Sequence, residues 1–267
     1  MITIAHLSDL HFGREQTQVI HNLLASLQEQ RPDLVIISGD LTQRARSYEF
    51  QQAKIFLDNL PYPYFIIPGN HDLSAHKLIE RFFFPWKKWK QYISPQLEPC
   101  IENDQCKVVG VNSARRLGLY LDWSRGRINS KQISHVVENF NQTNEKKLRI
   151  LVAHHPFWLP TVYLRRQLIG GRDKAIEALS QAGVDIILGG HIHIPFMKIL
   201  RGVIISHAGT TVSDRLIEGQ PNSYNIIKGD SKKLTLISLE QENQEFTIRQ
   251  ESKFIKTGKH WHPYPKK

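Results

Sequence analysis

The sequence predicts an α/β fold shading into α+β, two packed sheets flanked by helices, and three observations predict it. Apolar runs alternate with amphipathic helical stretches from Ile2 to Asp72, a second such set begins at Leu148, and closely spaced strand patterns fill the chain from Val203 onward. Alternating strand and helix builds a largely parallel sheet, whereas strands joined by short links must pair antiparallel because they have no room for a crossover.

Taken in order, Ile2 to Leu7 reads as a strand, and Gln16 to Gln30 carries Val19, Ile20, Leu23, Leu24 and Leu27 at helical spacing. DLVIISGD (33–40) is a buried strand ending in Gly39-Asp40. Ser47 to Leu60 is helical, with Phe50, Ala53, Phe56, Leu57 and Leu60 on one face, and YFIIPGNHD is a third strand running into a polar turn. A helix over 75–92 is interrupted by Pro85, which cannot continue the backbone hydrogen bonding. Short strands surround a turn at Glu102-Asn103-Asp104-Gln105. Ser130 to Asn141 is helical through Ile133, Val136, Val137 and Phe140, followed by the strand LRILVAHH, a helix from Asp173 to Gln181 and the strand VDIILGGHIH. VIISHAGT, SYNIIKGD, KLTLISLEQ and EFTIRQES are then expected to pair antiparallel. With no repeat or flexible linker, the expectation is one domain over 1–267, ending in a basic tail from about residue 250.

Composition bounds the function. Of 267 residues, 40% are hydrophobic and 22% charged, the profile of a water-soluble globular protein. No apolar run is long enough to span a bilayer, and the N-terminus shows no export signal, so a cytoplasmic location is expected. Cys100 and Cys106 are read as reduced thiols. The net charge of +10 is local: Arg81, Lys87, Lys88 and Lys90 cluster in one segment, and Lys253, Lys256, Lys259, Lys266 and Lys267 in the tail. FPWKKWKQY interleaves Trp86 and Trp89 with lysines. Packing of both rings inward is expected ahead of stacking on bases or seating at a membrane surface. The tail, with Trp261 and Tyr264, is left open between partial disorder and a crossing to a neighbouring subunit, so a homodimer stays open too.

The strand ends carry the chemistry. SDLHFG (8–13), SGD (38–40), PGNHD (68–72), VAHHP (152–156) and LGGHIH (188–193) each stop an apolar strand at a turn bearing Asp, Asn or His. The carboxyl ends of strands line the ligand crevice of open α/β sheets, so these turns should converge. Carboxylates, imidazoles and an amide oxygen, without thiolates, suit divalent Mn, Fe, Zn or Co. Asp9 and His11, two apart in an extended segment, can share one ion. Asp9, His11, Asp40, Asn70, His154, His191 and His193 are too many for a single ion that must also admit substrate, which implies two.

In order, these blocks resemble the D-x-H, G-D, G-N-H-D, H and G-H-x-H set of the calcineurin-like metallophosphoesterase superfamily. AGTTVSDR (208–215) and NSYNII (222–227) are similar to its bacterial branch that includes class III cyclic-nucleotide phosphodiesterases. The resemblance implies a four-layer α-β-β-α sandwich. It also implies one metal on Asp9, His11, Asp40 and His193 and another on Asp40, Asn70, His154 and His191, with Asp40 shared. His71 would act as acid or oxyanion stabiliser beside the phosphate, its ring oriented by Asp72, and Asn70 would also touch substrate. The implied reaction is direct attack of a metal-bound hydroxide on a nucleotide, cyclic forms included, or on another small phosphodiester. A phosphomonoesterase, a nuclease and a metal-free binding scaffold are the alternatives, with nucleic acid ranked below a small phosphoester as partner.

Other residues are weighed against ordinary structural roles. Arg215 is a candidate phosphate contact, because a guanidinium can fork onto phosphate oxygens, and equally a candidate surface ion pair. Arg44, Arg46, Arg115 and Arg116 carry the same two readings. His6 and His155 are expected to be structural, His21 and His135 to sit on helices, and His76 and His207 to be minor candidates for lining the pocket.

Overall fold

The computed structural model describes residues 1–74, 77–116, 124–161 and 168–265. In chain order it contains β1 (Ile2–Leu7), α1 (Thr17–Gln30), β2 (Leu34–Ile37), α2 (Ser47–Asp58), β3 (Tyr64–Ile66), α3 (Leu78–Phe83), α4 (Lys87–Tyr92), β4 (Cys100–Glu102) and β5 (Cys106–Val111). There follow α5 (Ser130–Asn141), β6 (Leu148–Ala153), α6 (Arg172–Gln181), β7 (Ile186–Gly189), β8 (Phe196–Leu200), β9 (Val203–His207), β10 (Ser223–Gly229), β11 (Lys233–Glu242), β12 (Glu245–Thr257) and β13 (His260–Pro263). A seven-stranded sheet has the order β13-β12-β11-β10-β1-β2-β3, and a six-stranded sheet the order β4-β5-β6-β7-β9-β8.

Strand alternation sorts the side chains into three apolar layers. Ala5, Leu7, Val35 and Ile37 face α1 and α2, packing on Leu23, Leu27, Phe50 and Phe56. Their neighbours Ile4, Leu34 and Ile36 face the other sheet, where Val108, Ile150, Val152 and Ile186 meet them. On the far side, Val109, Leu151 and Ile187 pack against Val136 and Phe140 of α5 and Ile176 and Leu179 of α6. Successive residues of a strand point to opposite faces, so a sheet covered on both sides reads as an unbroken apolar run. Helix, sheet, sheet, helix is therefore the layer order, as expected.

Two expectations change. β9 does not join the antiparallel set. It lies parallel to β7, Ile186 opposite Ile204, and pairs antiparallel with β8 across a tight turn at Arg201-Gly202. The antiparallel meander is β10-β11-β12-β13.

The basic tail is mostly sheet. β12 and β13 form the edge of the larger sheet, and Trp261 is fully buried between the sheets. Its indole N–H donates to Asp185 at 2.9 Å, and the same carboxylate pairs with Lys256. Lys253 pairs with Glu251 at 2.9 Å, and Lys266 and Lys267 lie outside the described residues.

The 75–92 helix is two short helices broken around Pro85, with Trp89 fully buried and Trp86 packed against the same core. Cys100 and Cys106 are both free thiols, and burial pushes the Cys106 thiol up to about 11.

Candidate metal centre

β1, β2 and β3 run parallel in one sheet and β6 and β7 parallel in the other. Their carboxyl ends therefore open on one edge of the sandwich, and the turns beyond them are bonded to one another. The Asp9 N–H donates to Gly39 O at 3.1 Å and the His11 N–H to Asp40 O at 3.0 Å. The His191 N–H donates to Asp9 Oδ2 at 3.0 Å, which ties the second sheet to the first.

Five of the seven ligand candidates have left-handed backbones: Asp9, His11, Asp40, His191 and His193, with φ between 46° and 75°. Such conformations cost of order 1 kcal/mol or more for a non-glycine residue and cluster where function requires an unusual direction.

Two groups of side chains converge there. In the first, Asp9 Oδ1 lies 3.4 Å from His193 Nε2 and 3.7 Å from His11 Nε2, and the two Nε2 atoms are 3.3 Å apart. His193 Nδ1 bonds the Arg215 carbonyl at 2.7 Å, and His11 Nδ1 faces the Thr42 carbonyl at 3.3 Å. A carbonyl can only accept, so each Nδ1 carries the proton and each Nε2 presents a bare lone pair. Two lone pairs and a carboxylate oxygen that meet without a proton among them fit a cation and little else.

In the second group, Asp40 Oδ2 lies 3.2 Å from His154 Nε2, while His154 Nδ1 donates to Ser38 O at 2.8 Å. His191 joins this group, and its Nδ1 is 3.0 Å from Asn70 Oδ1. Asp40 Oδ2 is also 3.9 Å from His11 Nε2, so one carboxylate lies between the groups. Asp9 Oδ1 and His154 Nε2 are buried without a hydrogen-bond partner, which a bound cation on each side would supply.

Electrostatics agree. Burial would raise both carboxyls, but the facing histidines, His193 beside Asp9 and His154 beside Asp40, outweigh it and hold both below the usual carboxylate range. Burial would likewise lower His154, yet Asp40 overrides it and pushes the imidazole up to about 9. The site draws positive charge, a proton when nothing better is present.

Glycine is required beneath the groups. Gly39 has a φ of 104°, and a side chain there would lie 2.7 Å from His154 Nδ1. Gly69 has no such backbone, but a Cβ would overlap the Asp40 carboxylate.

The phosphate-side candidates differ from expectation. Asp72 does not orient the His71 ring. Its buried carboxylate accepts the N–H groups of Gly69 (2.9 Å), Thr42 (2.8 Å) and Leu41 (3.2 Å) and the Thr42 hydroxyl, bracing the turns after β2 and β3. His71 Nδ1 instead donates to Gln43 O at 2.8 Å, which leaves Nε2 to accept from Arg215 Nη1 at 3.0 Å. Nothing in the sequence singles out Gln43, Ser38 or Thr42, because they act through backbone carbonyls that any residue has.

Three further buried histidines are structural supports, while His21 and His135 are exposed on α1 and α5. His6 bonds Ser38 Oγ, His155 bonds Ser113 Oγ and Ser124 O, and His207 bonds Gly190 O and stacks on Phe196. His76 lies outside the described residues. The Arg44 and Arg46 N–H groups donate to Glu49, and the Arg115 and Arg116 carbonyls accept from Arg81.

The profile of the calcineurin-like phosphoesterase family matches residues 2–195. A probable glycerophosphodiester phosphodiesterase GpdQ from Arcobacter nitrofigilis is 24% identical over 182 residues, 67% of this chain and 63% of its own length, so the chain spans less than two thirds of that relative. A probable cyclic nucleotide phosphodiesterase from Coxiella burnetii is 22% identical over 222 residues, 79% of this chain and 83% of its own. Among solved structures, a dimetal phosphatase from Danio rerio superposes with a TM-score of 0.63 at 10% identity, covering 92% of this chain and 98% of that one, a likeness of fold.

Proposed function

The chain belongs to the calcineurin-like phosphoesterase family, and we propose that it hydrolyses a small phosphodiester at the junction of its two histidine–carboxylate groups. The observation that carries this reading is the first group, where bare Nε2 lone pairs of His11 and His193 meet Asp9 Oδ1 with no proton among them. In this reading Asp9, His11, Asp40 and His193 hold one divalent cation, and Asp40, Asn70, His154 and His191 the other. Mn, Fe, Zn and Co all suit the donor set. Two such cations, when bound, would make a water acidic enough to attack near neutral pH and would draw charge from the phosphate.

The protein's own groups do the rest. Carbonyls of Ser38, Thr42 and Arg215 hold the Nδ1 atoms of His154, His11 and His193, so that each ring turns its Nε2 towards the site. Arg215 has no carboxylate partner among the described residues, and its Nη1 rests on His71 and on Gln43 Oε1. An anion held by that guanidinium frees His71 Nε2 to carry a proton towards the leaving oxygen. A guanidinium gains when an uncharged acceptor is exchanged for an anionic one that it can fork onto, because both partners are then charged.

A diester is favoured over a monoester because both bacterial relatives reported above are named as probable phosphodiesterases. The test is to strip the purified protein of metal and reload it with Mn, Fe, Zn or Co. Each form is then assayed on cyclic nucleotides, glycerophosphodiesters, phosphomonoesters and single-stranded DNA. Turnover of a small diester with two equivalents of metal supports the reading. Tight metal binding without any turnover would make the chain a scaffold, and exclusive DNA cleavage a nuclease.

A further inference from the structure

The segment KLIERFFFPWKKWK (77–90) divides its apolar residues in a way that the hydrolytic site does not explain. Its tryptophans face the protein, Trp89 fully buried and Trp86 packed on the helix-side core. Three further bulky residues face out: Ile79, Phe83 and Phe84 are 75%, 72% and 60% exposed. Ile79 and Phe83 are four apart on α3, hence on one face, and Ile79 and Phe84 line an open groove of about 770 Å³ with Lys77, Lys87 and Lys88.

The same segment holds five cations, Lys77, Arg81, Lys87, Lys88 and Lys90, against the single acid Glu80. Arg81 is buried, and Lys88 is taken up by Glu80 at 2.6 Å and by the Ala45 carbonyl at 2.8 Å. Lys77, Lys87 and Lys90 are exposed, and none of them makes an ion pair among the described residues. Folding has thus used the part of this motif that it needs and left three apolar side chains beside three unpaired lysines.

We propose that the α3–α4 segment is a docking surface for an anionic lipid bilayer, with Ile79, Phe83 and Phe84 entering the headgroup layer and Lys77, Lys87 and Lys90 meeting lipid phosphates. The complementarity is twofold. Lysines near an anionic leaflet each contribute roughly fivefold in binding, and apolar side chains at the interface add area that leaves water. A nucleic acid would use the lysines and could stack on the phenylalanines, but it has nothing to offer the aliphatic Ile79. The helices are too short to span, and no described helix is long and apolar enough to cross a membrane, so the association is peripheral.

Vesicle co-sedimentation of the full chain tests this. Phosphatidylcholine vesicles containing phosphatidylglycerol are compared with phosphatidylcholine alone, at low and raised salt. The wild type should sediment with the anionic vesicles and lose most of that binding in salt. The double variant Phe83→Ser/Phe84→Ser should bind at least tenfold more weakly, and the triple variant Lys77→Gln/Lys87→Gln/Lys90→Gln about a hundredfold more weakly. Ile248→Ser, which removes a comparably exposed side chain from β12, should behave as wild type. All three replace exposed residues outside the metal centre, so unchanged melting temperatures and metal content confirm that they fold. The proposal is overturned if the wild type binds neither vesicle, if all variants bind alike, or if the phenylalanine variant turns a vesicle-indifferent dimer into a monomer. The last result would assign the face to a second copy of the chain.

Discussion

His71 and Arg215 show how a single contact redistributes roles among neighbours. Nδ1 of His71 is given to the Gln43 carbonyl and Nε2 faces the guanidinium, and in the proposed reaction Nε2 becomes open to a leaving group once Arg215 is drawn to an anion. Arg215→Ala should therefore raise KM for a diester about tenfold or more and weaken inhibition by inorganic phosphate, in line with the loss of a charge-assisted contact. His71→Ala should slow substrates with poor alkoxide leaving groups about a hundredfold while sparing nitrophenyl esters, because only the former need a proton. Equal losses on both substrate types would reduce His71 to a binding residue. Buried histidines outside the ligand set contribute to the acid limit. Burial, aided by His207, lowers His6 to about 3, and burial lowers His207 to about 4. Both are neutral in the fold but take up protons near pH 6.5 once unfolded. Their contribution is whole above that pH and drains away as the pH falls towards 4 and 3, by up to about 1.4 kcal/mol per unit for each group. Melting curves of the metal-free protein should fall across this window, and His6→Gln should flatten the fall.

At the scale of elements, the turn after each parallel strand matters more than the strand. Asp72 fastens the β2 and β3 turns through three backbone N–H groups, and Gly69 lets the Asp40 carboxylate come against the main chain. Gly69→Ala should cost about 1–3 kcal/mol of stability as an overpacked site and, by displacing Asp40, should lower metal occupancy at both positions. Calorimetric titration with manganese would show it, and undiminished affinity for two ions would refute the role given to Asp40. The individual elements were largely legible: α5 spans Ser130–Asn141 as its apolar spacing indicates, and α1 and α6 begin within one residue of expectation. β8 and β13 were not. FMKIL is only partly buried along its length, and HWHP offers a single buried residue, so neither carries the apolar run that marks a strand.

For the molecule as a whole, closure of the sandwich depends on its last strands. Trp261 fills the space between the sheets and, with Lys256, reaches Asp185 at the start of β7, so the C-terminal end of the chain seals the edge opposite β3. Trp261→Ala should cost about 3–5 kcal/mol by leaving a cavity, read as a shift in the urea midpoint. The metal centre, at the carboxyl ends of other strands, should still bind its ions in that variant. The sequence by itself determined the layers and the ligand candidates, because burial on both faces and the donor chemistry of Asp, Asn and His are properties of residue type and spacing. Tertiary structure alone decided which carbonyl holds each imidazole, that Asp72 braces turns while Arg215 meets His71, that β9 joins β7, and that the basic tail is sheet. Those outcomes depend on backbone groups and on partners far away in the chain, which no local pattern encodes.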